Sequence, residues 1–331
     1  MTAVDQRHPR VLAALRQPAL REAEYEPDAP LVDEITEGLQ ARDAWISPKY
    51  LYDPLGSRLF EAITELVEYY PTRIERRLLE RHIGAIAHSV GQGTCLIELG
   101  AGNCEKAAAL FPVLRPRQYA ALDISTDFLQ SRISALRLAH PQVDMIPVAA
   151  DLTAGIRLPG SVGRERRLFL YLGSSIGNFD PSDAYSMLAD IREHCHDGGG
   201  LLIGVDLIKS VGVLQAAYDD PLGVTAAFNL NVLNHVNSLI GSNFDVQDWK
   251  HHAVFNGTRS RVEMHLEAAR DALVAWPKGT RLFRTGQRIH TENSYKYLPD
   301  DFRNLLREVG FCHVDCWTDE QQWFALFHAS V

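Results

Sequence analysis

The sequence predicts an α/β protein: a parallel sheet covered by helices on both faces, interrupted after its fifth strand by an inserted α+β subdomain. Three observations carry this reading. Apolar runs at 95–99, 119–123, 145–150, 168–172 and 201–206 alternate with helical stretches, and near-continuous apolar strands of this kind belong to parallel sheets buried on both sides. The first run ends in an acid and enters a glycine-rich turn, Glu98-Leu-Gly100-Ala-Gly102-Asn103, while the next two end at Asp123 and Asp151. Polar groups at the carboxyl ends of consecutive strands describe the crevice where open parallel sheets bind nucleotides. After Asp206 the rhythm changes, and it resumes only in the tail.

In chain order, residues 1–30 read as a loosely attached arm, polar and without the apolar core of a signal peptide. A helix follows from Leu31. The segment from Ser47 to Gly56 is irregular, broken by Pro48, Pro54 and Gly56. Residues 57–66 have helical periodicity, and Glu68-Tyr69-Tyr70-Pro71-Thr72-Arg73 interrupts it. Thr72 and Glu75 form a T-x-x-E capping box for an amphipathic helix over 74–89. Within the sheet region, helices are expected at 105–111, at 125–139 with Ser125 as cap, and at 182–194. Gly198-Gly-Gly200 introduces the fifth strand. Beyond Asp206, residues 211–239 form one helical region, and Asn256-Gly257 marks a hairpin between alternating runs at 252–255 and 261–266. The tail holds a helix at 300–309 and strands at 313–317 and 323–328. The N-terminal helices are expected to join the inserted subdomain.

A net charge of -9 over 331 residues, with no basic tract, argues against a nucleic-acid partner. No apolar run approaches the length of a membrane span. The five cysteines are an odd set without a C-x-x-C pair, as in reduced cytosolic proteins. Cys312 and Cys316, about 13 Å apart along a strand, are read as core. His194-Cys195-His196 lacks zinc-site spacing and is read as a helix-end surface group; no metal is expected. A cytoplasmic monomer acting on a small molecule is the expectation.

The glycine turn narrows the cofactor. A dinucleotide site wants G-x-G-x-x-G, whereas Gly100-Ala-Gly102-Asn-Cys-Glu105 places a carboxylate at the third position. That acid repels a pyrophosphate and tolerates a cationic or zwitterionic ligand. S-adenosylmethionine, with a sulfonium and no phosphate, fits better than a nicotinamide cofactor. The E-x-G-x-G turn with Asp123 and Asp151 also resembles the cofactor pattern of class I methyltransferases, and so implies their Rossmann-like sheet.

Further segments carry a narrower resemblance: Tyr50-Leu-Tyr52-Asp-Pro-Leu-Gly-Ser, Glu68-Tyr69-Tyr70-Pro-Thr-Arg73, Glu98-Leu-Gly-Ala-Gly-Asn-Cys-Glu-Lys106 and Leu172-Gly-Ser-Ser-Ile-Gly-Asn178. To these are added Ala217-Tyr218-Asp-Asp-Pro-Leu-Gly-Val-Thr-Ala-Ala-Phe-Asn229, Arg261-Val-Glu-Met264 and Thr291-Glu292-Asn-Ser294-Tyr-Lys. From about residue 31 onward the chain resembles the histidine Nα-methyltransferases of ergothioneine biosynthesis. They convert L-histidine to its trimethylammonium betaine, hercynine, with three molecules of S-adenosylmethionine. The resemblance implies a substrate-binding subdomain from 31–72 and 209–298, and a cofactor domain from 73–208 and 299–331.

By the same resemblance, Tyr52, Gly100, Lys106, Asp123, Asp151 and Leu152 fall at cofactor positions. Asp123 suits the ribose diol, Asp151 the adenine amine and Lys106 the methionyl carboxylate. Asn178 and Tyr218 fall where the α-amino-carboxylate is held, and Tyr52 and Asn178 flank the reacting groups. Ring recognition falls to Tyr69, Glu292 and Ser294, with Met264 packing on the imidazole. A neutral imidazole has one N–H and one acceptor nitrogen, which a carboxylate and an amphoteric hydroxyl can satisfy. Glu292 and Ser294, two apart on an extended segment, share a face; Tyr295, the next residue along, should face away. The competing readings are an N-methyltransferase of tryptophan or tyrosine, a nicotinamide oxidoreductase opposed by Glu105, and a non-catalytic S-adenosylmethionine-binding module.

Overall fold

The computed structural model describes residues 29–196 and 198–331, so most of the expected N-terminal arm lies outside the described residues. The first elements are α1 (Ala29–Gln40), the short strand β1 (Ala44–Trp45), α2 (Pro54–Thr64) and α3 (Tyr70–Val90). The sheet region follows as β2 (Cys95–Leu99), α4 (Glu105–Leu114), β3 (Gln118–Asp123), α5 (Thr126–Ala139), β4 (Asp144–Ala149), β5 (Arg167–Tyr171), α6 (Pro181–His194) and β6 (Gly200–Asp206). Next come α7 (Val211–Tyr218), α8 (Val224–Ile240), and strands β7 (Trp249–Asn256), β8 (Arg261–Ala268), β9 (Ala272–Trp276), β10 (Gly279–Phe283) and β11 (Arg288–Tyr295). The chain closes with α9 (Pro299–Glu308), β12 (His313–Thr318) and β13 (Phe324–Ser330).

The main sheet runs β12-β13-β6-β5-β2-β3-β4. Strands β2 to β6 are parallel, and β13 is antiparallel to both neighbours. Relative to the doubly wound dinucleotide order, one antiparallel strand is inserted before the last. Both faces are covered: Leu78, Leu110 and Ile133 of α3, α4 and α5 pack on one side, and Leu188 and Phe302 of α6 and α9 on the other. Every residue of β2, β5 and β6 is buried, which is why these strands read as unbroken apolar runs. The strand order reverses at β2, which pairs with both β3 and β5. The crevice therefore opens at the turn after Leu99.

A second core gathers Ile35 and Leu39 of α1, Leu214 of α7, Phe228 and Val232 of α8, and Leu266 and Ile289. Its sheet runs β1-β11-β8-β7, with β9 and β10 as a separate hairpin. Strand β11 carries a bulge. His290 pairs with His265 but Glu292 pairs with Met264, so Thr291 is the extra residue. Its Oγ1 donates to the Met264 carbonyl at 3.0 Å and fixes the irregularity.

Several expectations need correction. The helical region at 211–239 is two helices, because Asp220 leaves the helix to accept the backbone N–H groups of Val224 and Thr225 and start α8. Helix α3 begins at Tyr70 with Pro71 in its first turn, ahead of Thr72, so the proposed capping box does not open it. Glu75 is instead wholly buried and points into the crevice region. Ser125 precedes α5 without a side-chain cap bond. Cys312 is exposed and Cys316 only half-buried, because β12 is an edge strand, while Cys195 is buried rather than superficial.

Candidate active site

A cavity of about 1170 Å³ lies at the carboxyl ends of β2, β3, β4 and β5. Its floor is the glycine turn. Gly100 and Gly102 have φ of +68° and +51°, and a Cβ on either would meet nothing within 4 Å, so the backbone leaves open space for a ligand. Asp123 steadies this turn: its Oδ2 accepts from Gly102 N at 2.8 Å and its Oδ1 from Ser125 N at 2.9 Å. Each oxygen retains a further lone pair, and Asp123 lines the cavity.

Asp151 caps the short turn Leu152–Ala154 and accepts from Thr153 N at 2.9 Å. Lys49, reaching from the N-terminal segment, bonds it at 3.2 Å and Glu34 at 2.7 Å. Burial raises the Asp151 pKa, but the Thr153 and Lys49 contacts outweigh it and hold the carboxyl below its usual range. Leu152 adds a half-buried apolar wall. Lys106 bonds Glu75 at 2.5 Å, and Glu75 also accepts from Gly173 N at 2.7 Å. Glu98 is nearly buried and bonded by the Tyr119 hydroxyl; burial pushes its carboxyl up to about 8 against the lowering effects of that bond and of Lys106. Ten acidic side chains line the cavity against Lys49, Arg76 and Lys106, a lining that favours a cationic ligand over a pyrophosphate.

Tyr52 enters from the N-terminal segment, its ring edge-on to Phe60 and Phe228 at 5.6 and 5.5 Å. Burial, then the Glu292 and neighbouring tyrosine charges, raise its phenol well above 10, so it carries its proton at any working pH. Asn178 ends the turn Ser175–Asn178 after β5. Gly177 lets that turn press on β11, since a Cβ there would lie 2.9 Å from the Tyr295 carbonyl oxygen. The Asn178 amide consequently donates to Glu292 Oε1 at 3.2 Å.

Tyr52, Tyr69, Gly100, Lys106, Asp123, Asp151, Leu152 and Asn178 all line the cavity. Tyr218, Met264, Glu292 and Ser294 do not line it; they form the layer behind. Glu292 lies behind Asn178, Met264 pairs with Glu292 across the ladder, and the Tyr218 ring sits 6.2 Å from Tyr69. Glu292 and Ser294 share one buried face, as expected from their spacing, and Tyr295 turns to Arg261 and Asp180. Burial pushes the Glu292 carboxyl up to about 7 despite the lowering effect of Lys296.

Sequence reasoning missed the groups that hold these residues. Asp206, at the end of β6, is buried against Lys209, Lys296 and the Tyr70 hydroxyl. It is another acid at the carboxyl end of a strand, so the signal was present. Glu75 was hidden behind its resemblance to a capping partner, and Lys49 by its distance in sequence from Asp151. Among the described residues no group of three or more His, Cys, Asp or Glu side chains is arranged to hold a metal, and no helix is long and apolar enough to cross a membrane.

Comparison with known proteins places this geometry. Residues 31–331 match the family model of histidine-specific, S-adenosylmethionine-dependent methyltransferases. The histidine N-alpha-methyltransferase of Mycolicibacterium smegmatis is 36% identical over 299 residues, covering 88% of this chain and 92% of that one. Its namesake in Mycobacterium tuberculosis is 35% identical with the same coverage. The ergothioneine biosynthesis protein 1 of Neurospora crassa is 30% identical over 87% of this chain, which spans 34% of that longer protein. Matching over nearly its whole described length, the chain belongs to the family of histidine-specific, S-adenosylmethionine-dependent methyltransferases.

Proposed function

We propose that the protein methylates the α-nitrogen of L-histidine three times in succession, giving hercynine, as the first step of ergothioneine biosynthesis in the cytoplasm. The observation that carries this reading is the Asn178–Glu292 hydrogen bond, which ties the turn beside the cofactor crevice to the strand that reads the ring. Residues 73–208 and 299–331 hold the cofactor, and residues 31–72 and 209–298 hold the amino acid. The chain acts as a monomer.

Each role follows from the chemistry in place. Asp123 takes the ribose hydroxyls, Asp151 the adenine amine with Leu152 against the ring, and Lys106 the methionyl carboxylate beside the Gly100 turn. Asn178 bonds the α-amino-carboxylate, with the Tyr218 ring packed beside it. Tyr69 and Met264 wall the imidazole, and Glu292 and Ser294 bond its two nitrogens. S-adenosylmethionine, when bound, would supply an electrophilic methyl on its sulfonium for the α-nitrogen.

The chain's contribution is alignment and exclusion of water. The nucleophile must be a neutral amine, and α-amino groups of chain termini titrate near about 8. Tyr52 keeps its proton, so it serves as a wall and hydrogen-bond partner rather than a base. The amine proton leaves to water, and no basic side chain is needed at the site.

Incubation with labelled S-adenosylmethionine and a panel of free amino acids, read by mass spectrometry, tests this. Histidine carrying three methyl groups on its α-nitrogen is the expected product. Methylation of a ring nitrogen, or preferential transfer to tryptophan or tyrosine, would overturn it.

A further inference from the structure

Lys296 is fully buried, and its three N–H groups are all assigned. They reach Asp206 Oδ2 at 2.8 Å, Tyr218 Oη at 2.8 Å and Ser294 Oγ at 2.6 Å. An ammonium nitrogen has no lone pair, so both hydroxyl oxygens must accept from it. Tyr218 Oη and Ser294 Oγ lie 2.7 Å apart and share one further hydrogen bond. A phenol is the more acidic partner, and its second lone pair is conjugated into the ring. Tyr218 therefore accepts once, from Lys296, and donates to Ser294. Both lone pairs of Ser294 Oγ are then filled, and its own proton has no acceptor among the described residues.

We propose that Lys296 is a specificity-determining positioning residue that turns Ser294 from an amphoteric hydroxyl into a donor only, so that the substrate ring must present an unprotonated nitrogen there. Resting on the histidine reading above, the inference adds a rule to it. The layer accepts a ring with an acceptor nitrogen toward Ser294 and rejects one with C–H or N–H in that place. Asp206 locks the arrangement, because its buried carboxylate, also held by Lys209 and Tyr70, holds the Lys296 nitrogen in place. Lys296 touches no substrate atom in this scheme. It acts through the orientation of two protons.

The test compares kcat/KM for histidine with that for the two pyrrolylalanine isomers, which keep one ring N–H and lack the acceptor nitrogen. In the wild-type enzyme both pyrroles should be disfavoured by roughly 10- to 100-fold, the cost of leaving a buried donor unmet. In Lys296→Met, Ser294 regains a free lone pair, and the preference should fall to about threefold or less. Lys209→Met also removes a partner of Asp206 but leaves Ser294 untouched, so its preference should stay near wild type. A merely structural role for Lys296 lowers all substrates alike and leaves the ratio unmoved, which overturns the proposal. If Lys296→Met does not fold, Tyr218→Phe frees the other lone pair and should relax the ratio in the same direction. Wild-type indifference to the pyrroles refutes the donor-only assignment outright. Absence of histidine turnover refutes instead the reading on which it rests.

Discussion

Asn178 Nδ2 and Glu292 Oε1 meet at 3.2 Å, although 114 positions separate them in the chain. One belongs to the turn after β5, the other to the bulged strand β11. The contact joins the end of the parallel sheet to the strand proposed to read the ring, and substitutions on either side of it should have separable effects.

Glu292→Ala removes the acceptor proposed for the imidazole N–H. A loss of roughly 2–3 kcal/mol, about 30- to 150-fold in kcat/KM for histidine, is expected. Affinity for S-adenosylmethionine should stay close to wild type, because Glu292 lies in the layer behind the cavity wall. Steady-state kinetics and cofactor calorimetry on the same variant separate the two.

The same carboxylate should cost stability. Its ordinary pKa of 4.5 is raised to about 7 in the fold, so the folded state holds its proton more tightly than the unfolded chain. Stability is then lost as pH rises from about 4.5 through about 7, by up to roughly 3 kcal/mol. Glu292→Gln, which cannot ionise, should melt higher than wild type at pH 8 and alike at pH 4.5. Equal melting temperatures at pH 8 would mean the buried acid is better paired than its surroundings indicate.

Asp123→Ala leaves the Gly102 and Ser125 N–H groups without their acceptor and removes the proposed partner of the ribose diol. Cofactor affinity should fall by about 10- to 100-fold, from the loss of charge-assisted hydrogen bonds of about 1.5–3 kcal/mol. Titration calorimetry reads this directly, and unchanged affinity would remove Asp123 from the site.

Glu75→Ala orphans the Gly173 N–H and leaves Lys106 without its partner. Lys106 is partly exposed and can recruit water, so the cost should come mainly from the orphaned N–H and the void, about 2–4 kcal/mol. Denaturant unfolding measures it. Glu75→Gln, which keeps an oxygen toward Gly173, should recover about half of the loss.

Much of the cofactor half was legible because the strands from Cys95 to Asp206 are buried on both faces, and burial on both faces writes an unmistakable apolar run. Their observed ends differ from the expected ones by at most one residue. Less visible was the hairpin β9–β10. Its turn is Pro277-Lys278, without the glycine or asparagine that usually marks a tight connection, and its strands have only five residues each. The break between α7 and α8 was readable in principle from Pro221 and from Gly223 at φ +74°, but the flanking apolar periodicity masked it. The cavity residues on strand ends were recoverable from pattern; Tyr218, Met264, Glu292 and Ser294 depended on family resemblance. The Asp206–Lys296–Ser294 chain was out of reach, since nothing local in the sequence tells a lysine two residues beyond a serine where to aim.

The bulge at Thr291 makes counting as important as chemistry along β11. Side chains on a strand alternate between faces, and the extra residue carries Glu292 and Ser294 to the Met264 side rather than the His265 side. Were the ladder regular with every residue kept, Thr291 would stand opposite Met264, and Glu292 and Ser294 would turn to the opposite face of the sheet. Counting along β11 by simple alternation would therefore assign both residues to the wrong face. The face these two side chains present is thus encoded partly as a reading frame.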